Sequence, residues 1–62
     1  MEKINDLIAE IKTQCDAFMV DAASNVNGNK AAGRRARKIS SNLTKLFKDY
    51  RTLTLEAEKN AE

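Results

Sequence analysis

Histidine, proline and tryptophan are absent from this 62-residue chain, cysteine occurs once and glycine twice. With Cys15 as the lone thiol, no intramolecular disulfide forms. Without histidine, no structural zinc site assembles within the chain. Cys15 also lacks an obvious base, and its place on an apolar face makes it a small core residue rather than a nucleophile. Asp6 and Glu10 share a helix surface, but nothing marks them as an acid–base pair. No catalytic, metal or cofactor constellation is therefore expected. No apolar run approaches the ~18 residues of a membrane span. The opening residues MEKINDLIAEI lack the basic-then-apolar order of a signal peptide. Both observations lead to the expectation of a reducing cytoplasm.

What is present is helical and charged. Without proline, and with many Ala, Lys, Glu, Leu and Arg residues, little interrupts a helix. Sixty-two residues make one small domain, and a domain of this size buries only about 60% of its unfolded surface. With disulfide and metal unavailable, self-association is the remaining support, and a homodimer is the expectation. The net charge of +2 conceals an asymmetry. Residues 1–27 set Lys3 and Lys12 against Glu2, Asp6, Glu10, Asp16 and Asp21, a sum of −3. Residues 28–51 set Lys30, Arg34, Arg35, Arg37, Lys38, Lys45, Lys48 and Arg51 against Asp49 alone, a sum of +7. A basic block between acidic ends points to an anionic partner.

Two periodic segments organise the chain. Ile4, Leu7, Ile8, Ile11, Cys15, Phe18, Met19 and Ala22 recur at spacings that predict an amphipathic helix over about 3–24. The segment from Ser24 to Asn29 breaks the pattern and predicts a turn over about 25–29, with Asn29 suited to cap a second helix. Ala32, Ala36, Ile39, Leu43, Leu46, Tyr50, Leu53 and Ala57 then form an unbroken heptad seam, widened on one side by Phe47. That second helix is predicted over about 30–58, with the last residues, Lys59 to Glu62, frayed. The fold class is all-α: one antiparallel helical hairpin over 1–62. Two helices alone leave their apolar stripes half wet, so the hairpin is expected to dimerise into a four-helix bundle or a coiled-coil-like assembly.

In that heptad frame Lys30, Arg34, Arg37, Lys38, Lys45, Lys48 and Arg51 occupy positions b, c and f, opposite the seam. Arg35 falls at g, within reach of an acidic residue of the first helix. A solvated helix face ordinarily mixes signs to gain i,i+4 pairs. This one is nearly all cationic, which suits it to tracking a phosphate backbone. The stretch Gly28-Asn29-Lys30-Ala31-Ala32-Gly33-Arg34-Arg35 is no phosphate-binding P-loop. That motif needs Lys and a hydroxyl residue after the second glycine, and a buried strand before the first. Gly33 is read instead as a site of tight helix packing.

Gly28-Asn29-Lys30-Ala31-Ala32, Arg35-x-Arg37, Ser40, Leu43, Lys45, Lys48, Tyr50-Arg51 and Ala57-Glu58-Lys59 resemble, without gaps over 28–59, the bacterial linker-histone-like proteins. That family is best known from the chlamydial developmental histone. Residues 1–27 share with it only the character of an amphipathic helix. The resemblance implies a nucleoid-associated DNA-binding protein whose helical portion self-associates, and carries basic positions over to Lys30, Arg35, Arg37, Lys45, Lys48, Arg51 and Lys59. The Lys- and Ala-rich tail of the chlamydial members has no counterpart within these 62 residues.

These readings converge on a bacterial histone-like protein of the cytoplasmic nucleoid, not an enzyme, that contacts double-stranded DNA non-specifically. RNA remains an open alternative as the polymer. The expected DNA contacts are Lys30, Arg34, Arg35, Arg37, Lys38, Lys45, Lys48 and Arg51. The expected seam is Ala32, Ala36, Ile39, Leu43, Leu46, Phe47, Tyr50 and Leu53. The alternative is a helical-hairpin interaction or scaffold module without nucleic-acid binding. No small-molecule substrate, cofactor, metal or membrane partner is expected.

Overall fold

The computed structural model describes residues 2–61 as two helices, α1 (Glu2–Val26) and α2 (Lys30–Ala61), packed along one another as a hairpin. At ~1.5 Å per residue the helices run about 37 and 48 Å, and the molecule measures 51 × 15 × 12 Å. Its shape is that of a rod one helix thick and two wide.

The turn is shorter than the expected 25–29. Asn25 and Val26 still belong to α1, and only Asn27, Gly28 and Asn29 lie between the helices. The reason is a C-terminal cap that closes on the helix itself. Gly28 has φ +105°, a conformation that costs other residues a steric clash at Cβ. With Gly28 in that state, its N–H donates to the Asn25 carbonyl at 2.9 Å and the Asn29 N–H donates to the Ser24 carbonyl at 3.1 Å. This paired pattern is the Schellman motif, which satisfies carbonyls that a helix end otherwise leaves unpaired.

Asn29 also begins α2. Its side-chain Oδ1 accepts from the Ala32 N–H at 3.0 Å, the N-cap bond expected from sequence. The Asn25 amide donates to the Asn29 carbonyl at 3.3 Å, tying the last turn of α1 to the first residue of the next element. Gly33 is explained by the same side chain. A Cβ at Gly33 would overlap the Asn25 amide nitrogen and sit 2.8 Å from its Cγ. Its close neighbour is therefore a side chain at the turn, not the facing helix backbone.

Among the described residues the buried apolar ones are Ile4, Ala32, Ala36 and Leu43. Ala32 has no exposed surface, because a methyl group fits beneath the turn where a longer side chain would hold the helices apart. Leu7, Ile11, Phe18, Ile39, Leu46, Leu53 and Ala57 are half-buried. Apolar side chains are left uncovered both near the turn and away from it: Met19, expected on the inward face, is 67% exposed, and Ile8, Phe47 and Tyr50 are 47%, 42% and 39% exposed. Cys15 is a free, half-buried thiol.

At the far end α2 stays helical through Ala61, beyond the expected limit near 58 and through residues expected to fray. The sequence there, Glu56-Ala57-Glu58-Lys59-Asn60-Ala61, holds no helix breaker. Glu62, the remainder of that expectation, lies outside the described residues. The hydroxyls of Thr44, Thr52 and Thr54 donate back to the carbonyls of Ser40, Lys48 and Tyr50. Such bonds satisfy a hydroxyl within its own helix.

Candidate nucleic-acid interface

Helix α2 places Lys30, Arg34, Arg37, Lys38, Lys45, Lys48 and Arg51 on the exposed side of the rod. The local cause is the heptad register. Once Ala32, Ala36 and Leu43 are turned inward, positions b, c and f must face water. Among the described residues none of these seven has a carboxylate oxygen within 4.0 Å.

Arg35 stands apart from them. Its Nε donates to Asp21 Oδ1 at 3.2 Å across the two helices. The Asp21 side chain is largely covered and the arginine side chain is more than half exposed. That contact draws Arg35 toward α1 and leaves its remaining guanidinium donors at the edge of the strip. The other ion pair joins Lys12 and Asp16 on the surface of α1 at 2.7 Å. The hydrogen bond to Asp16, and secondarily its charge, raise the Lys12 pKa above its ordinary value. Asp16 and Asp21 are thus occupied within α1 or by Arg35, rather than by the cations of the strip.

The strip has two parts. Lys30, Arg34, Arg37 and Lys38 crowd the turn-proximal end, where α1 carries Asp21 as its nearest carboxylate in sequence to the turn. Lys45 and Lys48 lie farther along, beside shallow interhelical grooves that also hold Asp6, Glu10 and Asp49. Those carboxylates form no ion pair with either lysine, yet they lower the positive potential there. The free N–H groups that open α2 add partial positive charge at the turn-proximal end.

Sequence reasoning missed two features. One is the role of Asn25, an exposed polar residue whose importance depends on its proximity to Gly33. The other is a shallow apolar groove walled by Ile8 and Ile11 of α1 and Phe47 and Tyr50 of α2. The sequence signal for it was Phe47, one step off the seam. Among the described residues no cluster of potential metal ligands occurs, and no helix is long and apolar enough to cross a membrane.

A family model described as histone H1-like protein Hc1 matches residues 5–60. That span reaches back through nearly all of α1, farther than the resemblance read over 28–59. No curated protein and no solved structure matches the chain. A match across both helices and the turn between them establishes that the chain belongs to the histone H1-like Hc1 family.

Proposed function

We propose that this protein is a nucleoid-associated DNA-binding protein that contacts phosphates through the outer face of α2. The supporting observation is that Lys30, Arg34, Arg37, Lys38, Lys45, Lys48 and Arg51 are exposed on one helix without carboxylate partners among the described residues. Membership of a histone-like family agrees with it. Unpaired surface cations keep their charge available for exchange with the counterions of a polyanion. Contacts of this kind position a protein on a duplex without reading its sequence. Arg35, half committed to Asp21, contributes at the margin. No catalytic step is assigned to any residue, and the working form is a homodimer.

The test is binding to a short random-sequence duplex by fluorescence anisotropy over a series of salt concentrations. Each neutralised phosphate contributes about −0.9 to the slope of log affinity against log salt. A slope of about −4 or steeper is expected for a helix lying along the backbone. Replacing Arg34, Arg37 and Lys38 with Ala should weaken all sequences alike and flatten the slope by up to about 2.7. A structured RNA of equal length, run in parallel, decides between the two polymers. The second reading, a protein-interaction module, draws support from the exposed apolar groove. Absence of duplex binding at low salt would select it.

A further inference from the structure

In the heptad frame of α2 the row opposite the seam is position f, and it reads Arg34, Ser41, Lys48, Leu55. This row is the outermost line of the helix, where a polymer lying alongside first touches it. A strip that only attracts would carry a cation at its middle. Here the midpoint is a serine, exposed and far shorter than the residues around it.

Residues three and four apart on a helix surface are neighbours, about 5–6 Å between Cβ atoms. For Ser41 these are Arg37 and Thr44 at position b on one side, and Lys38 and Lys45 at position c on the other. Two turns away in the same row stand Arg34 and Lys48. Five cations thus surround one small side chain, and among the described residues none of them has a carboxylate oxygen within 4.0 Å. The row closes on Leu55, which is 67% exposed, and Glu56 and Glu58 follow it. The positive strip is therefore centred on Ser41 and not on its far end.

The hydroxyl at that centre is uncommitted. All four threonines of the chain donate to the carbonyl four residues back. A serine can bond in the same way, yet Ser41 makes no such bond among the described residues. Its hydroxyl is left to rotate outward and donate. A short donor ringed by longer cations is a concave seat for a tetrahedral oxyanion. The ammonium and guanidinium groups neutralise the anion from the rim, and the hydroxyl donates to an oxygen at the base. A lysine at this position would be pressed against Arg37, Lys38 and Lys45, and like charges at that spacing destabilise a helix.

We infer that Ser41 seats a backbone phosphate, with Arg37 on one side of it and Lys38 and Lys45 on the other, so that the duplex is centred on this residue. Only the identity of the polymer rests on the proposed DNA contact. The bond is to a phosphate oxygen, so it fixes where the duplex lies without reading its sequence.

Salt-dependent binding of the full chain separates this contact from the charges around it. Ser41→Ala removes a donor and no charge. It should weaken duplex binding about threefold at every salt concentration and leave the slope of log affinity against log salt unchanged. Lys45→Ala should instead flatten that slope by about 0.9. Alanine is the better helix former, so circular dichroism of Ser41→Ala should show helicity at or above wild type, and its loss of affinity does not come from unfolding. Thr44→Ala is the control, an exposed neighbour in the same ring whose hydroxyl already donates to Ser40. It should bind as wild type does. Undiminished binding by Ser41→Ala, or an equal loss in Thr44→Ala, overturns the seat. The seat is also read without DNA, by amide chemical shifts during titration with inorganic phosphate. Ser41 and its neighbours over 37–45 should move most, and Ser41→Ala should abolish that focus. Shifts spread evenly from Lys30 to Arg51 overturn the seat and leave a plain cationic surface. Phosphate shifts focused on Ser41 with no duplex binding at low salt refute the DNA reading and leave the seat established.

Discussion

The turn and the middle of the hairpin meet the same packing problem with different side chains. Near the turn, Ala32, Gly33 and Ala36 are buried, and the backbone groups of the connection are paired through Gly28, Asn29 and Asn25. Midway along the rod, Ile8, Phe47 and Tyr50 remain two-fifths to one-half exposed, although each is far more apolar than alanine. Two helices touch along a line, so side chains that point straight along that line, such as Ala32, Ala36 and Leu43, are covered. A larger side chain spills past it and needs a third surface. The inner side of the turn end is therefore closed by small residues, although Met19, Val20 and Val26 on its outer side stay exposed, and the middle leaves its aromatic side chains half open.

The sharpest way to break that contrast is at Leu43, a large side chain that the hairpin does cover. Leu43 is 8% exposed, and Leu43→Asp should cost more than about 3 kcal/mol, since it removes the packed side chain and buries a charge in its place. Circular dichroism should show loss of most helicity at 25 °C. A soluble, fully helical Leu43→Asp monomer would refute the inward seam.

At the turn the expected effects are smaller and coupled. Gly33→Ala should destabilise by about 1 kcal/mol, because the new methyl displaces the Asn25 amide from the Asn29 carbonyl. In an Asn25→Ala background the same change should stabilise by about 1 kcal/mol, the ordinary preference of a helix for alanine over glycine. A reversal of sign between the two backgrounds in urea melts is the diagnostic result. Asn29→Ala removes the cap on Ala32 and should cost about 1 kcal/mol, measured the same way. The smallest effect is expected on the open surface. Lys12→Ala deletes a fully exposed i,i+4 pair, and its thermal midpoint should stay within the scatter of repeat melts. Because the Lys12 pKa is raised in the folded chain, whatever the pair contributes is present below the ordinary lysine pKa and fades as pH rises above it.

Much of this was legible in the chain itself. The seam from Ala32 to Ala57 specified a long helix, and Asn29 announced its cap, because both signals are local: a spacing and a side-chain oxygen near three free N–H groups. The basic strip was equally readable, since a heptad register that turns leucines inward turns b, c and f outward. The two-residue difference at the turn was not readable. It follows from two hydrogen bonds that form only once Gly28 adopts φ +105°. Nor did the sequence distinguish a glycine excluded by a facing helix from one excluded by an asparagine side chain eight positions earlier.

The sequence by itself determined that this protein is helical, that it has one connection, and which face of its second helix carries charge. These follow from periodicity and the absence of proline, which act within a few residues along the chain. Only the tertiary structure decided which cations are engaged, with Arg35 held by Asp21 across 14 positions and its neighbours left without a carboxylate partner among the described residues. Only the tertiary structure set Ile8 and Ile11 against Phe47 and Tyr50 as one groove. Both depend on how one helix is rotated against the other, and that angle is fixed by the sum of contacts along the whole rod rather than by any segment of it.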